Sequence, residues 1–322
     1  MSQTTTVCYK VKALTPIWTG DANQRGGRFI TTGLLGSIRW WFEVLVRGLG
    51  GAACDPSDAP GRCPDRQGKR CVVCELFGCT GWARKFRFEA VDDDGQPLYD
   101  AIRRDQEFIL RFVPLRPVRD EEWALLDVTL RLIANYGAIG GKTVLKPSDE
   151  QNRANQLHHR DYGLIEILEA SCNVRLSKEK LRAYVRTGWR EANHDGFAWA
   201  SLTNFWCVRG RYLARQNADT SSFNRIIARP EQKRQASASQ CDSWIAGRRP
   251  DPRTQTQPES KKVFSFKDPP RTFGFVQNVR DFERLVDQLK KQLATEWPGF
   301  QGDEIEKGDQ ILKLLFSKGG SS

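Results

Sequence analysis

Between residues 7 and 170 two hydrophobic periods alternate along the chain, and their order leaves few folds open. VCYKVKA, at 7–13, alternates around Cys8, Tyr9, Val11 and Ala13 as a strand does. TTGLLGSIRWWFEVLVR then shifts to helical spacing: Leu34, Ile38, Trp41 and Leu45 share one face, and the spacing predicts a helix over 33–47. ARKFRFEAV alternates over 85–91 and EFILRFVPL over 108–115, so both read as strands of one sheet. A second helix follows over 121–136, with Trp123, Leu126, Leu130 and Ile133 or Ala134 as its stripe, and YGLIEIL supplies a last strand. Strand, helix, strand, strand, helix, strand is the split βαβ order of the ferredoxin-like fold, which also underlies the RNA recognition fold.

Length extends this to two domains, because 322 residues exceed what one small core needs. The expected division is 1–170 and 171–322. The second half opens with the helical LSKEKLRAYVRTGWREAN and continues with a strand-like run over 202–213. Between Arg209 and Arg253 lie ten Lys or Arg against four Asp or Glu, mixed with Ser, Gln and Pro, a basic loop-rich insertion. KKVFSFKD reads as another strand, RDFERLVDQLKKQL as an amphipathic helix, and SKGGSS as a frayed end. The expectation is an α+β chain of two ferredoxin-like domains, the second a degenerate copy with basic insertions.

Fifty Lys and Arg against 39 Asp and Glu give a formal charge of +11 and a pI near 9.3, which favours a polyanionic partner, nucleic acid first. MSQTTTVCYKVKAL carries neither a signal-peptide core nor a lipidation motif, and no apolar run approaches a membrane span, so no membrane partner and a cytoplasmic location are expected.

GGAACDPSDAPGRCPDRQGKR, over 50–70, has too many glycines, prolines and polar residues for a core strand or helix, and it needs a staple. Five of the nine cysteines fall here and just beyond, as C-x8-C-x7-C-x2-C-x4-C. Cys71 and Cys74 form the C-x2-C knuckle of tetrahedral zinc-thiolate sites, with Cys54 and Cys63 as the other two ligands. Cys79, after Leu76-Phe77-Gly78, reads as a small buried residue outside the set. The expectation is a structural zinc in an insertion at 51–75, against the alternative of scattered reduced thiols.

Two elements can meet phosphate. Thr31 or Thr32 can cap the first helix; Gly33 and Gly36 leave its first-turn amides uncovered, Arg25 and Arg28 lie just upstream, and the face opposite the apolar stripe carries Gly36, Trp40 and Arg47. A packed amphipathic helix explains the same residues. YGAIGGKT, over 136–143, fails as a nucleotide-binding P-loop, because Tyr136 stands where glycine is required and a helix precedes it. Its amides, with Lys142 and Lys146, either hold an RNA backbone or form a tight turn. Trp40, Trp82 and Phe273 are candidates for stacking on bases. Catalysis is not expected: His158, His159 and His194 sit in no triad or metal motif, and Asp21 reads as a turn residue.

TPIWTGD, TTGLLGSIRWWFEVLVRG, CVVCELFGCTGWARKFR, GAIGGKTVLKP and DYGLIEIL together resemble the first Cmr subunit of type III-B CRISPR effector complexes, within the RAMP superfamily. The resemblance is sharp over about residues 1–170. It implies ferredoxin-like domains with a glycine-rich loop, here 138–142, and an end-cap role near the 3′ end of the guide RNA, with target RNA and other Cmr subunits as partners. It also implies that target cleavage belongs to another subunit, whose aspartate lies in a region comparable to that of Asp21.

The reading is therefore a non-catalytic RNA-binding subunit, against a metal-independent endonuclease or an assembly protein that touches little RNA. Its RNA-facing set is Arg25, Arg28, Ser37, Arg39, Trp40, Arg47, Gly140, Gly141, Lys142 and Lys146. Arg209, Arg211, Arg248 and Arg249 form a weaker set on the basic insertion.

Overall fold

A computed structural model describes residues 5–20, 27–55, 58, 60–141, 147–153, 156–192, 195–227, 243–247 and 259–317. The chain divides into two compact units: Met1–Lys142, Tyr162–Thr203 and Gly308–Ser322 form the first, Thr143–Asp161 and Asn204–Lys307 the second.

The first unit contains β1 (Val7–Ala13), α1 (Thr31–Gly48), α2 (Val72–Phe77), β2 (Phe86–Val91), β3 (Glu107–Pro114), α3 (Asp120–Tyr136), β4 (Ile165–Ala170) and α4 (Lys178–Arg186). Its sheet is antiparallel in the order β2-β3-β1-β4, the ferredoxin-like arrangement. On β1 every second residue is buried, Val7, Tyr9, Val11 and Ala13, and this face is covered by α1 and α3, which pack together. Leu34, Ile38, Trp41 and Leu45 are buried as their spacing predicts. The helix start differs. Ile30 is the N-cap and no side chain caps the end; Thr19 instead accepts from the Ile30 amide through Oγ1 at 2.7 Å, so Thr31 and Thr32 are ordinary first-turn residues.

The second unit contains β5 (Phe205–Arg209), the short helices α5 (Ser222–Ile226) and α6 (Ser243–Ala246), the hairpin β6 (Val263–Lys267) and β7 (Pro270–Phe275), α7 (Phe282–Gln292) and the two-residue β8 (Glu306–Lys307). Its antiparallel order is β6-β7-β5-β8, which repeats the first sheet strand for strand. Trp206, Val208, Phe223, Leu285, Leu289 and Trp297 lie in its core.

Two expectations are corrected. The division at 170/171 gives way to the two units, because α4 packs on α3, and α8 (Gly308–Ser317), whose apolar face carries Ile311 and Leu312, also packs on α3. Phe273 is not an RNA-facing loop residue: it lies on β7, 2% exposed, among the rings of Phe205, Phe264 and Phe266. Gly137 ends α3 without a positive φ; a Cβ there would stand 2.5 Å from the Trp41 ring, so close packing requires the glycine. The frayed end at 317–322 lies almost wholly outside the described residues, as do residues 228–242 and 248–253 of the basic insertion.

Candidate nucleic-acid interface and metal centre

Helix α1 organises the site, because its inner face is fixed in the core and its outer face meets three other segments. The glycine loop docks against its middle. Trp41 donates through Nε1 to the Ala138 carbonyl at 2.8 Å, and the Gly140 amide donates to Ser37 Oγ at 3.0 Å. The Gly141 amide donates to the Trp18 carbonyl at 2.9 Å. Gly140 has φ +109°, and a Cβ on it would lie 2.8 Å from the Trp18 carbonyl oxygen. The Gly140 and Gly141 amides thus have acceptors within the fold, as a tight turn does, and the expectation that they face phosphate is corrected for these two. Lys142 and Lys146 lie outside the described residues.

Arg39 and Arg47 differ from the expected pair of phosphate ligands. Arg39 donates through Nε to Glu43 at 3.1 Å, through Nη1 to the Gly78 carbonyl at 3.0 Å and through Nη2 to Cys74 Sγ at 3.2 Å. Arg47 donates to the carbonyls of Ala200 at 3.1 Å and Ala53 at 3.3 Å, and lies 3.8 Å from Glu43. Both guanidinium groups tie the outer face of α1 to neighbouring segments, which explains their position opposite the apolar stripe. Burial pushes the Glu43 carboxyl above its usual range, while Arg39 and Arg47 pull it back. Arg28 remains exposed three residues before α1; Arg25 and Asp21 lie outside the described residues.

Beside these arginines is a groove of about 330 Å³, lined by Gly36, Arg39, Trp40, Glu43, Arg47, Asp55 and Phe197. Trp40 packs edge-on against Trp41, with centroids 5.0 Å apart, and Phe197 lies near-parallel to Trp199 at 6.5 Å. Trp82 has a different environment: the guanidiniums of Arg70 and Arg116 lie 3.6 and 4.1 Å from its ring centre, which occupies the ring as a cation–π partner.

The metal centre is built at α2. Cys71 is its N-cap and Cys74 lies in its first turn, which turns the C-x2-C spacing into two converging sulfurs. Cys54 and Cys63 arrive from the irregular segment, and the four Sγ atoms lie within 4.8 Å of one another, all buried. Zinc–sulfur bonds of about 2.3 Å place tetrahedral sulfurs about 3.8 Å apart, so this donor set fits a closed zinc-thiolate site. Four buried, clustered cysteines can bind a metal such as zinc. Four thiolates around a divalent ion carry a net double negative charge, and two cations meet it: Arg39 at Cys74, and Arg190, whose Nη1 lies 3.5 Å from Cys63 Sγ. The Cys71 amide also donates to Cys63 Sγ at 3.3 Å. Cys79 stands outside the four, as read from sequence, although it is half-buried and not enclosed.

Sequence reasoning missed Arg190, which also holds the Gly61 and Arg62 carbonyls, and the buried bridge of Lys85 to Glu75 at 2.9 Å and Glu122 at 2.7 Å. Both join residues far apart in sequence, so no local pattern marks them.

In the second unit Arg209 pairs with Glu306 at 2.6 and 2.8 Å, and Arg211 with Glu304 at 2.6 and 2.9 Å. These bidentate pairs brace β8 and the turn before it, in place of an open basic surface. Arg248 and Arg249 lie outside the described residues, as does His194; His158 and His159 form a surface pair with ring centres 4.1 Å apart.

Among protein families, the model of the RAMP superfamily matches residues 10–145, the segment from β1 to the glycine loop. Among solved structures, Cmr1 from Pyrococcus furiosus in its apo form is similar at 9% identity and TM-score 0.42, covering 98% of this chain and 96% of that one. A chain of the type III-B Cmr-beta complex, bound to cognate target RNA and AMPPnP in the presence of ssDNA, is similar at 10% identity and TM-score 0.45, covering 91% and 99%. A chain of the Csm3–Csm4 subcomplex of the type III-A CRISPR-Cas interference complex reaches 13% identity and TM-score 0.27, covering 57% and 96%. No curated protein matches the chain. Among the described residues no helix is long and apolar enough to cross a membrane.

Proposed function

We propose that this chain is an RNA-binding RAMP subunit of a type III-B CRISPR effector complex, which holds the 3′ region of the guide RNA, helps capture target RNA and does not cut it. The observation that carries the reading is the RAMP match over residues 10–145, which runs from within β1 through α3 to the glycine loop of a βαββαβ unit, the loop being bonded to the middle of α1. The formal charge of +11 supports a nucleic-acid partner. The protein contacts RNA through backbone and shape, and sequence is read by guide pairing. Other Cmr subunits are its protein partners, the complex acts in antiviral defence in the cytoplasm, and a structural zinc holds the insertion after α1.

The test is to titrate the purified full chain with end-labelled single-stranded RNA over a salt series. Intact binding whose affinity falls steeply with salt is expected. Cleavage of the RNA would favour an endonuclease, with Asp21 or a histidine assisting the 2′-hydroxyl. No binding would favour an assembly subunit.

A further inference from the structure

We propose that the groove on the outer face of α1 receives one unpaired nucleobase of single-stranded RNA, with Gly36 as the open floor that admits it and Trp40 and Phe197 as its aromatic walls. The proposal rests on the RNA-binding reading and assigns it a specific pocket.

Gly36 is the starting observation. It is the sixth residue of an 18-residue helix, is exposed, and keeps helical geometry with no positive φ. A Cβ built on it meets nothing within 4 Å. Gly137, Gly140 and Gly163 are different, because a Cβ on each would stand within 2.8 Å of neighbouring atoms. Glycine weakens a helix interior relative to alanine, and neither packing nor backbone conformation requires one at this position. What remains is the space above it, and that space is the groove.

The lining selects the ligand. A phosphate site needs charged donors to spare, whereas Arg39 and Arg47 are mostly buried and bonded to Glu43, Cys74 and three carbonyls. The accessible walls are aromatic. Phe197 is 36% exposed and Trp40 half-buried, each set by a second aromatic, Trp199 and Trp41. At about 330 Å³ the groove falls within the range of small-ligand sites. A planar heterocycle suits this lining: its faces meet the rings, and its polar edge lies toward the rim of the groove at Asp55. Base stacking on aromatic side chains accepts any sequence, as expected where pairing elsewhere reads the RNA.

The experiment uses the full chain and single-stranded RNA, with each nucleotide replaced in turn by an abasic residue. Variants are Gly36→Ala, Gly36→Leu, Trp40→Ala, Trp40→Phe and Phe197→Ala. Gly36→Ala and Gly36→Leu are expected to melt at or above the wild-type temperature. Gly36→Leu, which fills the groove, and Trp40→Ala are each expected to weaken RNA binding about 5- to 100-fold, with an unchanged salt slope, as loss of one base stack does. Trp40→Phe keeps most of the affinity. One abasic position reproduces the loss in wild type and costs Gly36→Leu nothing more. Wild-type affinity in Gly36→Leu, or indifference to every abasic position, with salt-dependent RNA binding intact, would overturn the pocket and leave the proposed function standing. A destabilised Gly36→Ala would make the glycine structural and overturn the pocket. Absence of RNA binding in wild type would overturn both.

Discussion

In the first unit the order β2-β3-β1-β4 is carried by strands of six to eight residues and by helices α1 and α3 of 18 and 17 residues. In the second the same order, β6-β7-β5-β8, is carried by strands of two to six residues and by helices of four to eleven. The order of elements sets the topology, and the amount of each element is free to vary. The excess in the first unit is also where its chemistry lies: α1 is long enough to bury one face and offer the other to the thiolate centre, the glycine loop and the groove. In the second unit the corresponding basic residues Arg209 and Arg211 are paired with Glu306 and Glu304 and hold a minimal sheet edge together.

The largest expected break in this contrast is at the cysteines. The double variant Cys71→Ser, Cys74→Ser should reduce bound zinc from about one equivalent to none, read by elemental analysis, and open residues 51–75 to proteases, because metal binding and local folding are one equilibrium. Metal-free wild-type protein with an equally protected segment would contradict it. Next is Trp41→Ala. The ring is 2% exposed, packs on Gly137 and bonds the Ala138 carbonyl, so its loss should cost about 3–5 kcal/mol in denaturant unfolding. It should also loosen the glycine loop, read as faster amide exchange at Gly140 and Gly141.

A smaller effect sharpens the contrast from the other side. Burial raises the Asp161 carboxyl to about 6 from its ordinary 3.8, against the opposing pull of the Asp268 and Lys267 amides. The folded state therefore holds the proton more tightly than the unfolded chain. This contribution is complete below about pH 4 and is lost as pH rises through about 6. Asp161→Asn should flatten that decline and gain roughly 2 kcal/mol above pH 7, measured by chemical denaturation across pH. An unchanged pH profile would remove Asp161 as its source.

Much of the first unit was legible because its signals are local. Tyr9 and Val11 alternate on one strand, Leu34 to Leu45 recur at helical spacing, and Cys71 and Cys74 share one turn. The second unit hides the same topology. Pro269 precedes β7 and Pro270 begins it, Gly274 interrupts its pattern where a Cβ would stand 2.5 Å from the Lys262 carbonyl, and two residues of β8 are too few to alternate. Helices α4 and α8 are amphipathic, but amphipathicity does not say which sheet a helix covers. The contacts of Arg39 are hidden for a related reason. Its Glu43 partner lies one turn away and is visible in the sequence, whereas Cys74 and Gly78 reach it only through the fold.

The central claim is that RNA is held by the first unit, along α1 and the glycine loop. Photo-crosslinking of the full chain to single-stranded RNA, with the attached peptides identified by mass spectrometry, tests it most directly. The account predicts crosslinks concentrated at Arg28, Trp40 and Phe197 and in the peptide around residues 138–142, and their loss in Gly36→Leu at the groove alone. Crosslinks confined to the basic segment between Arg209 and Arg253, with α1 unlabelled, would contradict it.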